Sequence, residues 1–240
     1  MPSALRAAYE AKIAAGEIQA DPAQAAALEP LIRLELELRD DEEPEGGILA
    51  MLRRRSVRER PRGVYLIGPV GRGKSMLMDL FYETVDVPKK RRTHFHVFMG
   101  EIHRLIDSWR KSDRSDRRAT FDQHKGDDPI PPIADVVARQ ARLLCFDEFQ
   151  VTDIADAMIL GRLFEALFEA GAVLAVTSNR APDQLYLNGI NRQLFEPFID
   201  LIGQRCEVVG VKGARDWRLD RLMGDRVWFT LPDPAARAGF

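Results

Sequence analysis

Eight residues, Gly68-Pro69-Val70-Gly71-Arg72-Gly73-Lys74-Ser75, carry the spacing G-x-x-x-x-G-K-S. Glycine permits backbone conformations that turn successive N–H groups inward, and such a concave run of donors binds an anion. A lysine after the last glycine can reach the β- and γ-phosphates of a nucleotide, and the adjacent serine hydroxyl can ligate Mg²⁺. The pattern predicts that residues Gly68, Pro69, Val70, Gly71, Arg72, Gly73, Lys74 and Ser75 bind ATP·Mg²⁺. The competing reading, a glycine-rich turn with no ligand, is weakened by an apolar run before the loop and a helical pattern after it. A dinucleotide-binding G-x-G-x-x-G is excluded, because Val70 stands in the second glycine's place.

Leu143-Leu144-Cys145-Phe146-Asp147-Glu148 is an apolar run ending in two acids. Downstream of a phosphate loop, Asp147 can hold Mg²⁺ and Glu148 can orient and deprotonate the attacking water. Without that loop, two solvated acids at a strand end would be an equally good reading. The pair favours ATP hydrolysis over transfer to a metabolite, which needs no water-activating glutamate. The N-K-x-D motif of a guanine-reading site does not occur.

Val173-Leu174-Ala175-Val176-Thr177-Ser178-Asn179-Arg180 is another apolar run with a polar tip. Asn179 is the candidate for sensing the γ-phosphate, against the alternative of a turn-forming asparagine. Charge developing on the phosphoryl group calls for a cation, and an arginine finger contributes about 10³–10⁵ in rate. Arg192 and Arg205 lie beyond this run and could face a neighbouring subunit's nucleotide. Surface salt bridges are the alternative for both, and Arg180 is a weaker third candidate.

These groups need a frame to converge. The chain is 45% hydrophobic and 30% charged, an ordinary globular balance, and its net charge of −2 gives no global field for nucleic acid. Two cysteines, Cys145 and Cys206, imply no disulfide framework, and no segment has the length of a membrane span, so a cytoplasmic location is the expectation. Three zones follow. Residues 1–60 read as a helical extension, broken in the Asp40–Gly47 run, with Asp21-Pro22 as a helix start that Gln24 can support by reaching back. Residues 61–211 read as an α/β core with a five-stranded, mostly parallel sheet. Its strands are predicted at Val64–Gly68, Thr93–Phe98, Leu143–Asp147, Ala172–Ser178 and Cys206–Val211. Helices are predicted at Lys74–Val85, Met99–Lys111, Ile154–Ala170 and Asn191–Gly203. Ser112–Pro132, polar and proline-broken, reads as a long loop. Residues 212–240 read as a short C-terminal segment, a partial lid or a β-hairpin.

Together the phosphate loop, His94-Phe95-His96 with Phe98-Met99, the run from Leu144 through Asp147-Glu148-Phe149-Gln150 to Ala157, and Thr177-Ser178-Asn179-Arg180 resemble the ZapE family from about Tyr9 to the end of the chain. These are AAA+ ATPases of bacterial cell division with mitochondrial relatives. The resemblance implies a P-loop AAA+ core, nucleotide-dependent self-association, and action on FtsZ at the division site, with peripheral membrane association compatible. It implies Lys74 and Ser75 as Walker A, Asp147 and Glu148 as Walker B, Asn179 as first sensor, and it tips the finger choice to Arg192. Two departures stand out. Val97 replaces an acid of the family's His-Phe-His-Glu-Phe-Met stretch. Residues 212–240 are too few for a whole helical lid, so a truncated or absent lid is expected.

Phe98-Met99-Gly100 has the composition of a loop that grips protein in a central pore, although an apolar strand end packed under the core is the simpler reading. His94 and His96, alternating on a strand, lack a completing metal ligand and read as structural. Three basic clusters, Arg53–Arg62, Lys89–Arg92 and Arg110–Arg118, read as solvated linkers and loops. The competing functions are a helicase-loader-like ATPase on nucleic acid and a nucleotide-gated binding module without turnover.

Overall fold

The computed structural model describes residues 3–40, 60–113, 116–117, 121 and 126–211. Its five strands are β1 (Gly63–Ile67), β2 (Lys90–His94), β3 (Leu143–Asp147), β4 (Val173–Ser178) and β5 (Cys206–Gly210). They form one sheet in the order β2-β3-β4-β1-β5, and every pairing is parallel. The helices are α1 (Ala4–Ala14), α2 (Pro22–Asp40), α3 (Lys74–Thr84), α4 (Phe95–Lys111), α5 (Ile130–Gln140), α6 (Ile154–Glu169) and α7 (Glu196–Arg205). This is an α/β architecture in which the phosphate-loop motif joins the first strand of a parallel sheet to the helix that follows it.

Strand alternation divides the apolar residues between two layers. Tyr65, Leu144, Phe146, Leu174 and Val176 face a cluster with α4, α5, α6 and α7. Val64, Leu66, Leu143, Cys145, Val173 and Ala175 face a second cluster with α1, α2 and α3. The sheet is thus covered on both faces, as an all-parallel sheet requires. The two thiols are buried, and burial pushes both up to about 12, which fits small core residues.

Several local expectations are corrected. The second strand is Lys90–His94, not Thr93–Phe98, and Phe95 already opens α4. Aromatics at 95 and 98 suggested a strand, but buried Phe95, Phe98, Met99, Ile102, Ile106 and Trp109 follow helical spacing. The charged cluster that was expected in a loop is this strand, at the sheet edge where charge is tolerated. There Lys90 donates to the carbonyls of Tyr82 at 2.7 Å and Val85 at 2.8 Å, and Arg91 pairs with Glu101. Phe98-Met99-Gly100 is consequently no loop: Phe98 lies in α4, buried against Phe146 at 4.7 Å between ring centroids. His94 and His96 do not alternate on a strand but stack at 5.7 Å across the strand–helix junction.

The proline-rich stretch is also shorter as a loop than expected, because Ile130-Pro131-Pro132 opens α5. Proline in a first helical turn lacks only an N–H that has no helical partner. Towards the C-terminus, the expected helix from Asn191 resolves into a 3₁₀ turn, Arg192–Leu194, and then α7, with Pro197 in its first turn. Residues 41–59 and 212–240, with the expected lid or hairpin, lie outside the described residues.

Gly63 is where β1 approaches its neighbour most tightly. A Cβ there would lie 2.2 Å from the Leu174 carbonyl oxygen. Gly63→Ala is therefore expected to destabilise the fold by about 1–3 kcal/mol, as overpacking against main chain does. Urea unfolding measures this directly.

Candidate functional site

The phosphate loop leaves the carboxyl end of β1, the edge where open parallel sheets place ligands. Gly71 and Gly73 have φ of 82° and 87°, a region that side chains disfavour. Gly73 is also hemmed in, since a Cβ would lie 2.6 Å from Gln24 Nε2. The helix α3 that follows has no side-chain cap and no acid in its first turn. Its leading N–H groups and dipole are thereby left to an anion.

Lys74 is the second residue of the site to be fixed by main chain. Its ammonium donates to the carbonyls of Gly68 at 2.6 Å and Pro69 at 2.8 Å, and to Asn179 Oδ1 at 2.8 Å. These three bonds use all of its donors. All three acceptors are neutral, and burial lowers the ammonium below the ordinary lysine range. Asn179, reached from the end of β4, spends its carbonyl on Lys74. Its amide nitrogen is the end that can donate to a phosphate oxygen.

The two acids diverge. Glu148 sits at φ 53°, a left-handed conformation costly for a residue with a Cβ. Its N–H donates to Thr177 Oγ1 at 3.3 Å, and the next N–H, of Phe149, donates to the Thr177 carbonyl at 2.8 Å. The turn sends the Glu148 side chain, 68% exposed, outward, with His94 Nδ1 3.9 Å away. Asp147 instead lies inward at 14% exposure. Its Oδ2 accepts from Arg92 Nε at 2.6 Å, and its Oδ1 accepts from Arg92 Nη2 and from the Thr177 hydroxyl, both at 3.3 Å. Arg92 also pairs with Asp79 on α3. Burial alone pulls this guanidinium down, but hydrogen bonds to Asp147 and Asp79 carry it above the usual arginine value.

A cavity of about 1040 Å³ gathers Val70, Gly71, Gly73, Lys74, Ser75, Glu148 and Asn179. That volume suits a nucleotide-sized ligand. Asp147 and Arg192 do not line it. Hard oxygen donors, the Ser75 hydroxyl and the Asp147 carboxylate, are the chemistry Mg²⁺ prefers. Among the described residues no set of three or more His, Cys, Asp or Glu could hold a metal, so phosphate oxygens and water would complete such a shell.

Sequence reasoning missed one wall of the cavity. The turn between α1 and α2 supplies Gly16, Glu17, Ile18 and Gln19. Buried Glu35 of α2 anchors α1, accepting from the Leu5 N–H at 3.1 Å and from the Ser3 hydroxyl. Asp21 caps α2 as expected, accepting from the Ala23 N–H at 2.8 Å. Gln24, however, does not reach back to the cap. It donates to the Arg72 carbonyl at 3.3 Å and so braces the phosphate loop. Nothing local in the sequence signals a contact spanning that separation. Thr177 and Arg92 were missed for the same reason.

Arg192 stands away from the cavity, donating from Nη2 to the Asp183 carbonyl at 2.6 Å and from Nη1 to that of Leu185. Arg205 is exposed, its guanidinium 5.6 Å from the Phe168 ring centroid. Arg180 is exposed beside Asn179.

A family model described as AFG1-like ATPase matches residues 3–240. The chain belongs to that family. It is 44% identical over 177 residues to Lactation elevated protein 1 homolog B of Danio rerio, covering 73% of this chain and 35% of that protein. It is 42% identical over 177 residues to cell division protein ZapE of Escherichia coli K12, covering 74% of this chain and 44% of that protein. The chain therefore spans less than half the length of these two relatives. The solved structure of DnaI is similar at a TM-score of 0.44 and 16% identity, over 75% of this chain and 89% of that one.

A triphosphate would supply the counter-charge that Lys74 lacks and raise its pKa again. Protons are then taken up on binding at alkaline pH, and affinity weakens as pH rises through the pKa of Lys74 in the free protein. Calorimetry of ATP binding in buffers of different ionisation enthalpy should show this uptake, and Lys74→Arg should abolish it.

Proposed function

We propose that this AFG1-like protein hydrolyses ATP to ADP and phosphate. The observation that carries the reading is the convergence, on one nucleotide-sized cavity, of an uncapped helix N-terminus, Lys74 and Ser75 from one loop and Glu148 and Asn179 from two other strands. The loop amides and Lys74 hold the phosphates. Ser75 and Asp147 would hold Mg²⁺, which when bound neutralises charge on the phosphate oxygens. Glu148 takes a proton from water as its oxygen bonds to the γ-phosphorus and the bond to the bridging oxygen breaks. Asn179 orients the γ-phosphate through its amide nitrogen. The turn of α1 and α2, forming the far wall, receives the nucleoside.

Arg192 acts in trans on a neighbouring copy's phosphate within a nucleotide-dependent homo-oligomer. For that it must exchange its bonds to the Asp183 and Leu185 carbonyls for phosphate oxygen. The work done with this energy is remodelling of a protein partner, the FtsZ ring at the division site, a reading that rests on the similarity to ZapE.

Three variants test the assignment. Lys74→Ala should abolish ATP binding in calorimetry. Glu148→Gln should keep binding and lose turnover by about 10²–10⁴. Arg192→Ala should bind normally and lose the part of the turnover that rises with protein concentration, so normal hydrolysis by that variant removes Arg192 from the mechanism. ATPase rates with and without FtsZ polymer test the partner.

A further inference from the structure

Asp147, the acid that would hold Mg²⁺, is the one site carboxylate that the cavity does not expose. Arg92 accounts for this. It sits on the edge strand β2, directly beside β3. One guanidinium spans two acids from different elements: Nε and Nη2 take the two oxygens of Asp147, and Nη1 takes Asp79. The two acids differ in setting. Asp147 is 14% exposed and also accepts from Thr177, whereas Asp79 is 53% exposed and lines the cavity. Asp79 lies one helical turn beyond Ser75 on α3. The fork therefore joins the strand carrying one hard oxygen donor to the helix carrying the other.

A divalent cation and a guanidinium compete for the same carboxylate oxygens. A fork that holds both oxygens must yield at least one before a metal can take it. Arg92 has somewhere to go, since Asp79 can keep it charge-paired in the more solvated position.

We propose that Arg92 is a positioning residue that gates the divalent cation, holding Asp147 before Mg²⁺·nucleotide enters and keeping only its bond to Asp79 when the metal takes the carboxylate. The inference rests on the reading of Asp147 as the Mg²⁺ holder. It makes the metal requirement a property of Arg92, and it gives the two flanking substitutions opposite signs. Removing the fork frees Asp147 and lowers the Mg²⁺ concentration required. Removing Asp79 leaves the fork with Asp147 alone and raises it.

The test is binding of a fluorescent ATP analogue to the full chain, titrated with MgCl₂ at constant ionic strength. The Glu148→Gln background suppresses turnover, so the readout is binding. Added to it, Arg92→Gln should lower half-saturating Mg²⁺ by about tenfold. Arg92→Lys, which keeps the charge but offers one contact point, should lower it less, and it serves as the readout if the glutamine variant does not fold. Asp79→Asn should raise the requirement. Unchanged Mg²⁺ curves for the Arg92 variants, or a shift of the same sign for Asp79→Asn, would overturn the gate. Asp147→Asn separates the two levels of the argument. If it leaves the Mg²⁺ dependence as it was, the reading of Asp147 fails. If it shifts that dependence while the Arg92 variants do not, the reading stands and only the gate fails.

Discussion

The two strands that bring the main chemical groups, β1 with the phosphate loop and β3 with the acids, do not touch. Each pairs in parallel with β4, which lies between them. Everything at the carboxyl edge of the sheet depends on that strand. Thr177 fastens the Asp147–Glu148 corner through its hydroxyl and its carbonyl. The Ser178 hydroxyl donates to the Phe149 carbonyl at 2.7 Å, and the Ser178 carbonyl accepts from the Gly68 N–H at 3.2 Å. Asn179 then takes Lys74. The end of β4 is a strip of polar groups that sets the distance between loop and carboxylates, and each link lies inside or beside a buried sheet that cannot slide.

Two cations at this edge of the sheet, Lys74 and Arg92, are already engaged. Lys74 rests on three neutral oxygens and Arg92 on two carboxylates. Side chains held in this way spend less conformational entropy when a ligand arrives, which is the advantage of preorganisation. They also have partners to give up. Lys74 gains by the exchange, because burial penalises its charge where no anion offsets it. Arg92 can release Asp147 and keep its pairing with Asp79.

The helices before β1 are part of this arrangement. α1 and α2 share an apolar cluster with β1, β3, β4 and α3, and Glu35 ties α1 to α2. Their turn closes one side of the cavity, and the Gln24 amide packs on Gly73, where a φ of 87° already disfavours a side chain. A change in how these helices sit would therefore reach the phosphate loop through the Gln24 amide as well as through the shared apolar cluster.

The phosphate loop, the acid pair and Asn179 were legible as one cluster because each is a local pattern, and the structure brings Lys74, Ser75, Glu148 and Asn179 to one cavity. Glycine spacing, an apolar run with a polar end, and a helix start all report on neighbours in the chain. The parallel sheet was legible for the same reason, from short apolar runs alternating with helical segments. β2 was misplaced because its charged residues have no apolar pattern. Lys90, Arg91 and Arg92 are accommodated by Tyr82, Glu101, Asp79 and Asp147, residues that only the folded chain brings near. Gln24 was read as reaching back to the Asp21 cap because the sequence shows what lies three residues away and not what lies across a cavity. The sequence by itself singled out the groups proposed here to bind and cleave a triphosphate. Tertiary structure decided which acid faces the cavity, which cation restrains the other, and which helices close the wall, because those depend on contacts between segments far apart in the chain.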